Sequence, residues 1–502
     1  MLRKVILFTA AVLLINGIIL AQDFGFGFEE DEEAPKSSAS FKAGGEISTE
    51  ATHFFNKFKD DESFAVFSWN IKPNFAFTSS YIDIFSSFNI NYDSINELWT
   101  KSPELKEKNH TPLIIDEAYI RAYISAVNVE VGYRKLIWGK VDSNGPLDVI
   151  NPIDYTDLID ITDIKERKIA RPMVHITWNA GSFSKLEGVF IPNFTPHRFA
   201  TEGRWTPSQY SNTMEITKEE IKTRLIKSVS AFPGGTGMLG MMNQMFSSDL
   251  PDPFEFPDTS GIKYFQTGLR FTTTISSVDL GLQYFYGNLF RPTYCLTDKG
   301  INAFISDLIS KNIPPNIPGG YTGNISLIDP QINYTRYHQI GVDYAQVLFD
   351  FNLRAEAAIN ITEDIHGDDG SLKNPFAAWA FGFDRNLFLG INFNAQCSET
   401  IRLLNNNVGD NPIFDSEAGL DITSTRISAR LTKSFFRDKL ENGITCIWDI
   451  EDSDCYLIPY IAWTQGNLTT KIAAGIFKGN KDGELGQYWV NSFIKIGLSF
   501  MF

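Results

Sequence analysis

The sequence predicts an all-β chain, a transmembrane antiparallel up-and-down β-barrel of about 16–18 strands with long loops that contain short helices. Three observations predict it. Apolar and polar residues alternate over segments of spanning length. No apolar run after Leu20 is long enough for a spanning helix. The chain ends on a strand with one apolar face.

The alternation comes first. Thr425, Ile427, Ala429 and Leu431 interleave with Arg426, Ser428 and Arg430. Leu280, Leu282, Tyr284 and Tyr286 interleave with Gly281, Gln283 and Phe285. Ile391, Phe393 and Ala395 interleave with Asn392, Asn394 and Gln396. Phe349 to Ile359 and Leu468 to Ile476 repeat the pattern. Successive strand side chains point to opposite faces, so these are two-faced strands. A soluble sandwich also alternates, but its strands are usually shorter than the roughly ten residues that cross a bilayer. Turn-forming runs separate the segments: Gly479 to Gly483, His366 to Gly370 and Asn405 to Asn407. Mean hydropathy is −0.13. That low average is what two-faced strands give.

The last strand carries Ile494, Ile496, Leu498, Phe500 and Phe502 on one face and Lys495, Gly497, Ser499 and Met501 on the other. The pattern of Lys495, Gly497, Phe500 and Phe502 resembles the C-terminal assembly signal of bacterial outer-membrane barrels. The resemblance implies barrel-assembly machinery as a partner and lipid as the surroundings.

The other end agrees. Arg3 and Lys4, then Val5 to Leu20, then Ala21-Gln22 read as a secretory signal peptide over 1–21. An acidic leader follows over 22–41, with Glu29 to Glu33 as a run of like charge. The barrel is expected over 42–502. The chain has 44 basic and 60 acidic residues, a net charge of −16, which argues against nucleic acid as a partner. Cys446 and Cys455 flank the turn-like Asp449 to Asp454, and a disulfide across that hairpin is one of several pairings that four cysteines allow.

Two long segments interrupt the strands. One is Glu215 to Ser247, helix-like over Lys218 to Val229 and Met-rich after it; the other is Lys299 to Lys311. Loops of this length cap or narrow a barrel, or simply pack on its rim. The acidic spacing of Asp364 to Gly370 lacks the full ligand set of a calcium loop and reads as an exposed turn.

Residues 115–200 carry the most individual pattern. Asp116-Glu117-Ala118-Tyr119 opens a strand, and Gly132 to Asp142 follows with Arg134, Trp138, Gly139 and Asp142. Then come Asp148, Asn151-Pro152 and Asp154, Arg167 to Met173, and Val189 to Pro192. This series resembles a family of largely uncharacterised Gram-negative outer-membrane proteins, distantly similar to alginate-export-type porins. The resemblance implies an outer-membrane barrel with a solute path and says little about the solute. Gly139 and Gly145-Pro146 turn the chain, and Asn151-Pro152 stops a strand. Trp138 is expected where a strand leaves the membrane, as suits an amphipathic ring. Asp148, Asp154, Asp157, Asp160 and Asp163 face Lys165, Arg167, Lys168 and Arg171 in sequence. One reading is a charge-paired loop tucked into the mouth or lumen. The other is a constriction with opposed acidic and basic walls. Trp138, Asp142, Asp148, Asn151, Asp154, Arg167 and Arg171 are its candidate residues.

With apolar positions facing lipid, Arg121, Arg134, Arg270, Arg354, Arg426, Arg430, Lys471 and Lys495 face the lumen, as do Asp350 and Glu356. A basic lumen favours anionic solutes unless its bases are paired within the wall. Six histidines are scattered without metal-ligand spacing, and no nucleophile elbow or phosphate loop is present. The expected function is therefore a porin-like outer-membrane channel for small solutes, anionic or amphipathic ones included, with no cofactor, no metal and no catalytic residue. The alternatives are a surface adhesin or antigen anchored by the barrel, and an outer-membrane hydrolase.

Overall fold

The computed structural model describes residues 39–56, 65–93, 114–142, 145–201, 203–208, 212–213, 215–220, 222–223, 256–296 and 330–502. The predicted signal peptide, nearly all of the acidic leader, the Met-rich run and Lys299 to Lys311 lie outside these residues. Part of the first helix-like segment is described, and residues 215–220 are helical.

Eighteen long strands form one sheet. The first five are β1 (Ser40–Phe54), β2 (Ala65–Thr78), β3 (Ile82–Asp93), β4 (Ile114–Ile124) and β5 (Val127–Arg134). After the two-residue β6 (Asp154–Tyr155) come β7 (Arg171–Asn179) and β8 (Ser184–Ile191). After the two-residue β9 (Arg198–Phe199) come β10 (Gln266–Ile275) and β11 (Val278–Asn288). The short β12 (Thr293–Leu296) and β13 (Pro330–Asn333) pair with each other. The rest of the wall is β14 (Arg336–Leu348), β15 (Phe351–Thr362), β16 (Phe376–Asn386), β17 (Ile391–Arg402), β18 (Thr423–Phe435), β19 (Leu440–Asp449), β20 (Asp454–Gln465), β21 (Leu468–Lys478) and β22 (Phe493–Met501). Each long strand is antiparallel to its neighbours in the chain, and β1 pairs with β22, so the sheet has no free edge. The first strand begins at Ser40, two residues before the expected start of the barrel.

The connections sort by length. At one end, tight turns join the strands. Ser125, Ser276, Phe349 and Asp350 take positive φ there, as two-residue hairpin turns require. Asp350, expected to face the lumen, belongs to such a turn. The long connections all leave from the opposite end. Short turns on the periplasmic side and longer loops outside are the rule for such barrels.

Polarity is inverted relative to a soluble protein. Ile176, Trp178, Leu282, Val342, Phe381, Ile461, Ile472 and Ile496 are exposed on the outer face. Glu130, His175, Glu187, Arg270, Gln283, Asp343, Glu356, Gln396 and Lys495 are buried inside. Within β11, β15 and β21 the exposed apolar residues fall on the positions that the alternation assigns to lipid, whereas Asp350 lies in a turn and Met501, at the end of β22, is 58% exposed. Lipid satisfies the apolar belt, and the closed ladder satisfies the backbone. Among the described residues no helix is long and apolar enough to cross a membrane. The strands make the crossing. The chain is a closed transmembrane β-barrel of eighteen strands.

Two apolar clusters sit inside the cylinder. Phe54, Val66, Tyr456, Ile458, Phe477 and Phe493 of the wall hold Leu158, Trp205, Leu485 and Tyr488 from the loops. Met173, Val189, Ile191, Phe285 and Tyr337 of the wall hold Leu136, Trp138 and Ile150. Both clusters dock loops onto the inner wall. The four cysteines are free thiols. Cys446 stands opposite Leu457 and Cys455 opposite Trp448, so the β19–β20 hairpin forms without the disulfide considered from sequence.

Candidate functional site: an inward loop across the lumen

The loop between β5 and β7, described over 135–142 and 145–170, folds into the barrel. Its base is tied by Asn151. The side-chain oxygen of Asn151 accepts from the Leu136 N–H at 2.8 Å, and its amide donates to the carbonyls of Arg134 at 2.8 Å and Ile169 at 2.9 Å. One side chain therefore joins both stems of the loop. Beside it, Lys168 donates to Asp148 at 2.6 Å, with the lysine side chain fully buried. Burial pushes the Asp148 carboxyl up, and Lys168 pulls against that. Arg171, also fully buried, donates to the carbonyls of Ile150 and Asn193. Asp154 pairs with Arg198 at 2.9 Å, and Arg167 caps the carbonyls of Asp154 and Asp157. The aspartates and arginines of the sequence motif thus build the loop itself.

The first limb runs to the β15 wall. Glu356 accepts the N–H groups of Lys140, Val141 at 2.8 Å and Leu147 at 3.2 Å. Asp142 receives Arg354 at 2.7 Å and Asn394 at 2.6 Å, and its N–H donates to Gln396 at 3.1 Å. Gln283 donates to the Leu147 carbonyl at 3.0 Å and Gln339 to the Pro146 carbonyl at 2.9 Å. The second limb crosses to the other wall. Tyr456 donates to the Leu158 carbonyl at 2.9 Å, and Lys495 donates to both oxygens of Asp160 at 2.6 and 2.7 Å. Asp163 caps a single helical turn, Ile164–Arg167, and Glu166 in that turn pairs with Lys72 of β2. The loop is anchored to β2, β11, β14, β15, β17, β20 and β22, and so spans the bore.

Trp138 differs from expectation. It is 2% exposed and lies inside the cylinder, not at the membrane–water boundary. The chain turns inward at Gly139 rather than outward, and this carries the indole with it. A Cβ at Gly268 would stand 2.8 Å from the Trp138 ring, so that glycine leaves the ring its space.

The eight basic wall residues all point inward, but they are not equivalent. Arg121 pairs with Glu130 at 2.5 Å, and Arg134 with the same carboxylate at 2.9 Å. Arg270 pairs with Asp343 at 2.8 Å, and Arg354 with Asp142 and Asp384. Arg426 pairs with Asp449 and Glu484, each at 2.9 Å. Glu484, in the β21–β22 loop, is held below the usual carboxylate range by Arg426 and Arg291. Lys495 lies between Asp160 and Glu50. Arg430 is half exposed. It donates to the Tyr460 hydroxyl at 2.8 Å, and Glu441 is 4.0 Å away. Lys471 has no ion pair among the described residues, and its ammonium stands 5.1 Å from the Tyr460 ring centre.

Two cavities flank the inward loop and share Thr162. One, of about 160 Å³, lies against β18–β22 and is lined by Arg430, Glu441, Tyr460, Lys471 and Asp160 together with apolar Ile458 and Phe493. The other, of about 220 Å³, lies between the loop limbs and carries Asp142, Asp148, Lys165 and Glu356. One cavity therefore has three basic residues with Lys495, and the other is mainly acidic. Alternation assigns each base a face of its strand but cannot tell which are neutralised. Elsewhere, the Asp364 carboxylate, expected in an exposed turn, is 4% exposed and accepts the N–H groups of Gly367, Asp368 and Asp369, so it closes its own turn.

No protein-family model matches the chain, and no curated protein does. Solved structures do. A BenF-like porin from Pseudomonas fluorescens Pf-5 is similar at 10% identity, covering 92% of this chain and 98% of that one, with a TM-score of 0.45. Pseudomonas aeruginosa OccK9 (OpdG) is similar at 10% identity over 95% of this chain and 99% of that one, also with a TM-score of 0.45. Pseudomonas aeruginosa OpdK with vanillate is similar at 9% identity over 92% and 98%, with a TM-score of 0.43. Identity at this level matches no residue of theirs to a residue here.

Proposed function

We propose that this protein is a porin-like channel for passive passage of small solutes, narrowed by residues 135–170 and selective for anionic, amphipathic ones. The observation that carries the reading is the uneven neutralisation of the lumen. Six of the eight basic wall residues are held by carboxylates within 3 Å, and their charge is spent on the wall. Lys471 and the half-exposed Arg430 remain, side by side on the cavity against β18–β22. Ile458 and Phe493 give that cavity an apolar side. A charged group on the solute meets the two cations, and its apolar body meets the rest. Charged linings of this kind set ion selectivity in pores. The chemistry requires no cofactor.

The test is reversal potential in planar bilayers under a salt gradient. Wild-type protein is expected to favour anions. Lys471→Glu, and Arg430→Glu more weakly, move the reversal potential toward cations. Arg426→Gln moves it little, because Asp449 and Glu484 already neutralise that charge. A barrel that stays closed at all voltages sinks the channel reading and favours a barrel that only anchors surface loops. Equal shifts from Arg426 and Lys471 variants sink the selectivity reading alone.

A further inference from the structure

We propose that Lys495 is a positioning residue that couples closure of the barrel to placement of the inward loop. It stands on β22, the last strand, and its side chain is 3% exposed. Its ammonium holds Asp160 of the loop with two contacts, at 2.6 and 2.7 Å, and Glu50 of β1 with one, at 3.1 Å. The three groups therefore come from the loop and from the two strands whose pairing closes the cylinder. Neither strand alone makes the seat. With β22 unpaired to β1, Lys495 lacks Glu50, and the loop aspartate meets a lone, solvated cation. Once β1 and β22 pair, Lys495 is desolvated between two carboxylates, where charge-assisted hydrogen bonds are strongest.

The residue two places on fits the same device. Gly497 lies directly opposite Glu50 in the β1–β22 register. A Cβ there would stand 3.3 Å from Glu50 Oε1 and 3.4 Å from its Cγ, closer than ordinary contact. Gly497 leaves the carboxylate free to lean toward Lys495. Tyr456 of β20 adds a neighbouring contact to the Leu158 carbonyl at 2.9 Å, two residues before Asp160. Lys495 and Gly497, whose pattern resembles a terminal assembly signal, thus have a place in the lumen. The consequence is an order of events: the bore narrows at this point only after the cylinder has closed.

Hydrogen–deuterium exchange on full-length protein, folded in detergent micelles and digested for mass spectrometry, tests this without requiring that the barrel conduct. In Lys495→Met, amides of residues 156–163 are expected to exchange at least ten-fold faster, while β20 and β21 exchange as in wild type. Asp160→Asn, which changes no strand residue, does the same. The double variant is no faster than either single one, because both remove one shared contact. Lys495→Arg keeps most of the protection. Gly497→Ala gives a smaller acceleration. Wild-type exchange at 156–163 in Asp160→Asn overturns the proposal. So does a Lys495→Met barrel that fails to fold while Asp160→Asn is indistinguishable from wild type, which would leave Lys495 with an assembly role only. If the wild-type protein carries no current, the channel reading falls, and these exchange rates still decide the coupling.

Discussion

The Glu356 carboxylate occupies the space that a side chain at Gly139 would fill. A Cβ at Gly139 would stand 2.5 Å from Glu356 Oε1, and one at Gly145 would stand 2.6 Å from Oε2. Gly139 also has φ +108, a conformation that costs little only for glycine. The two glycines let the loop wrap its N–H groups around a carboxylate from a strand more than two hundred residues away. The carboxylate in turn is the only acceptor described for three donors, of which the Leu147 N–H is buried and the other two are part-buried.

Glu356→Ala should therefore free the first limb of the loop. Each N–H group left without a partner costs about 1–3 kcal/mol. The expected readout is faster amide exchange at residues 139–147 and a lower denaturant midpoint. Gly139→Ala should act in the same direction by pushing the carboxylate out and straining the backbone. Unchanged exchange in both variants would mean that Gln283, Gln339 and Arg354 hold the limb unaided.

The Asn151 variants form a graded series. Asn151→Asp keeps the acceptor for the Leu136 N–H and loses both donors, whereas Asn151→Ala loses all three contacts. Stability should fall in that order, by about 1–3 kcal/mol for the alanine variant. The denaturant midpoint, taken at a pH low enough to keep the new carboxyl protonated, checks the order, and an aspartate variant less stable than the alanine one would contradict it.

These two sites show what the sequence could convey and what it could not. A period of two fixes which face of a strand each residue takes, because one face meets hydrocarbon along its whole length. That is why the phases of β11, β15, β17, β18, β21 and β22 were legible from alternation alone. Arg426 and Lys471 look alike by this rule. They differ only in what stands opposite: Asp449 and Glu484 beside one, a tyrosine ring beside the other. Those neighbours come from separate strands and loops, and no local pattern encodes them. Trp138 shows the same boundary. Its ring chemistry fits a membrane rim, and the inward turn that overrides it depends on Glu356. The glycines were visible as turns; their partner was not.

His197 gives the loop region an acid limit. Its ring is buried next to Tyr155, Phe199 and Phe290, and its Nδ1 accepts the Ile153 N–H at 2.9 Å. Burial pushes its pKa down to about 3, and Arg291 and Lys168 push the same way. An unfolded histidine titrates near 6.5. Above that pH neither state takes a proton and the group adds no pH dependence. Below it the unfolded segment binds a proton that the packed one does not, so stability falls steadily from about pH 6.5 toward pH 3. Exchange at residues 150–156, corrected for intrinsic rates, should accelerate between pH 6 and 4 in wild type. His197→Gln keeps an acceptor without the titration and should flatten the profile. A slope that persists in His197→Gln would assign the acid response to other groups.

Ile472 and Lys471 are adjacent on β21 and should respond oppositely to charge. Ile472 is 47% exposed on the outer face, between Ile461 and Ile496 of the neighbouring strands. Lys471 lines the cavity on the inner face. An arginine near the bilayer midplane of a barrel's lipid face costs about 2–4 kcal/mol, whereas lumenal substitutions change selectivity with little effect on insertion. Ile472→Arg should lower the yield and stability of barrel refolded into lipid vesicles, judged by heat-modifiable migration on a gel. Lys471→Met should refold as wild type and lose anion preference instead. The inversion of these two outcomes would mean that β21 is turned over, with its isoleucines in water and its lysine in lipid, and no closed barrel with this register could then stand.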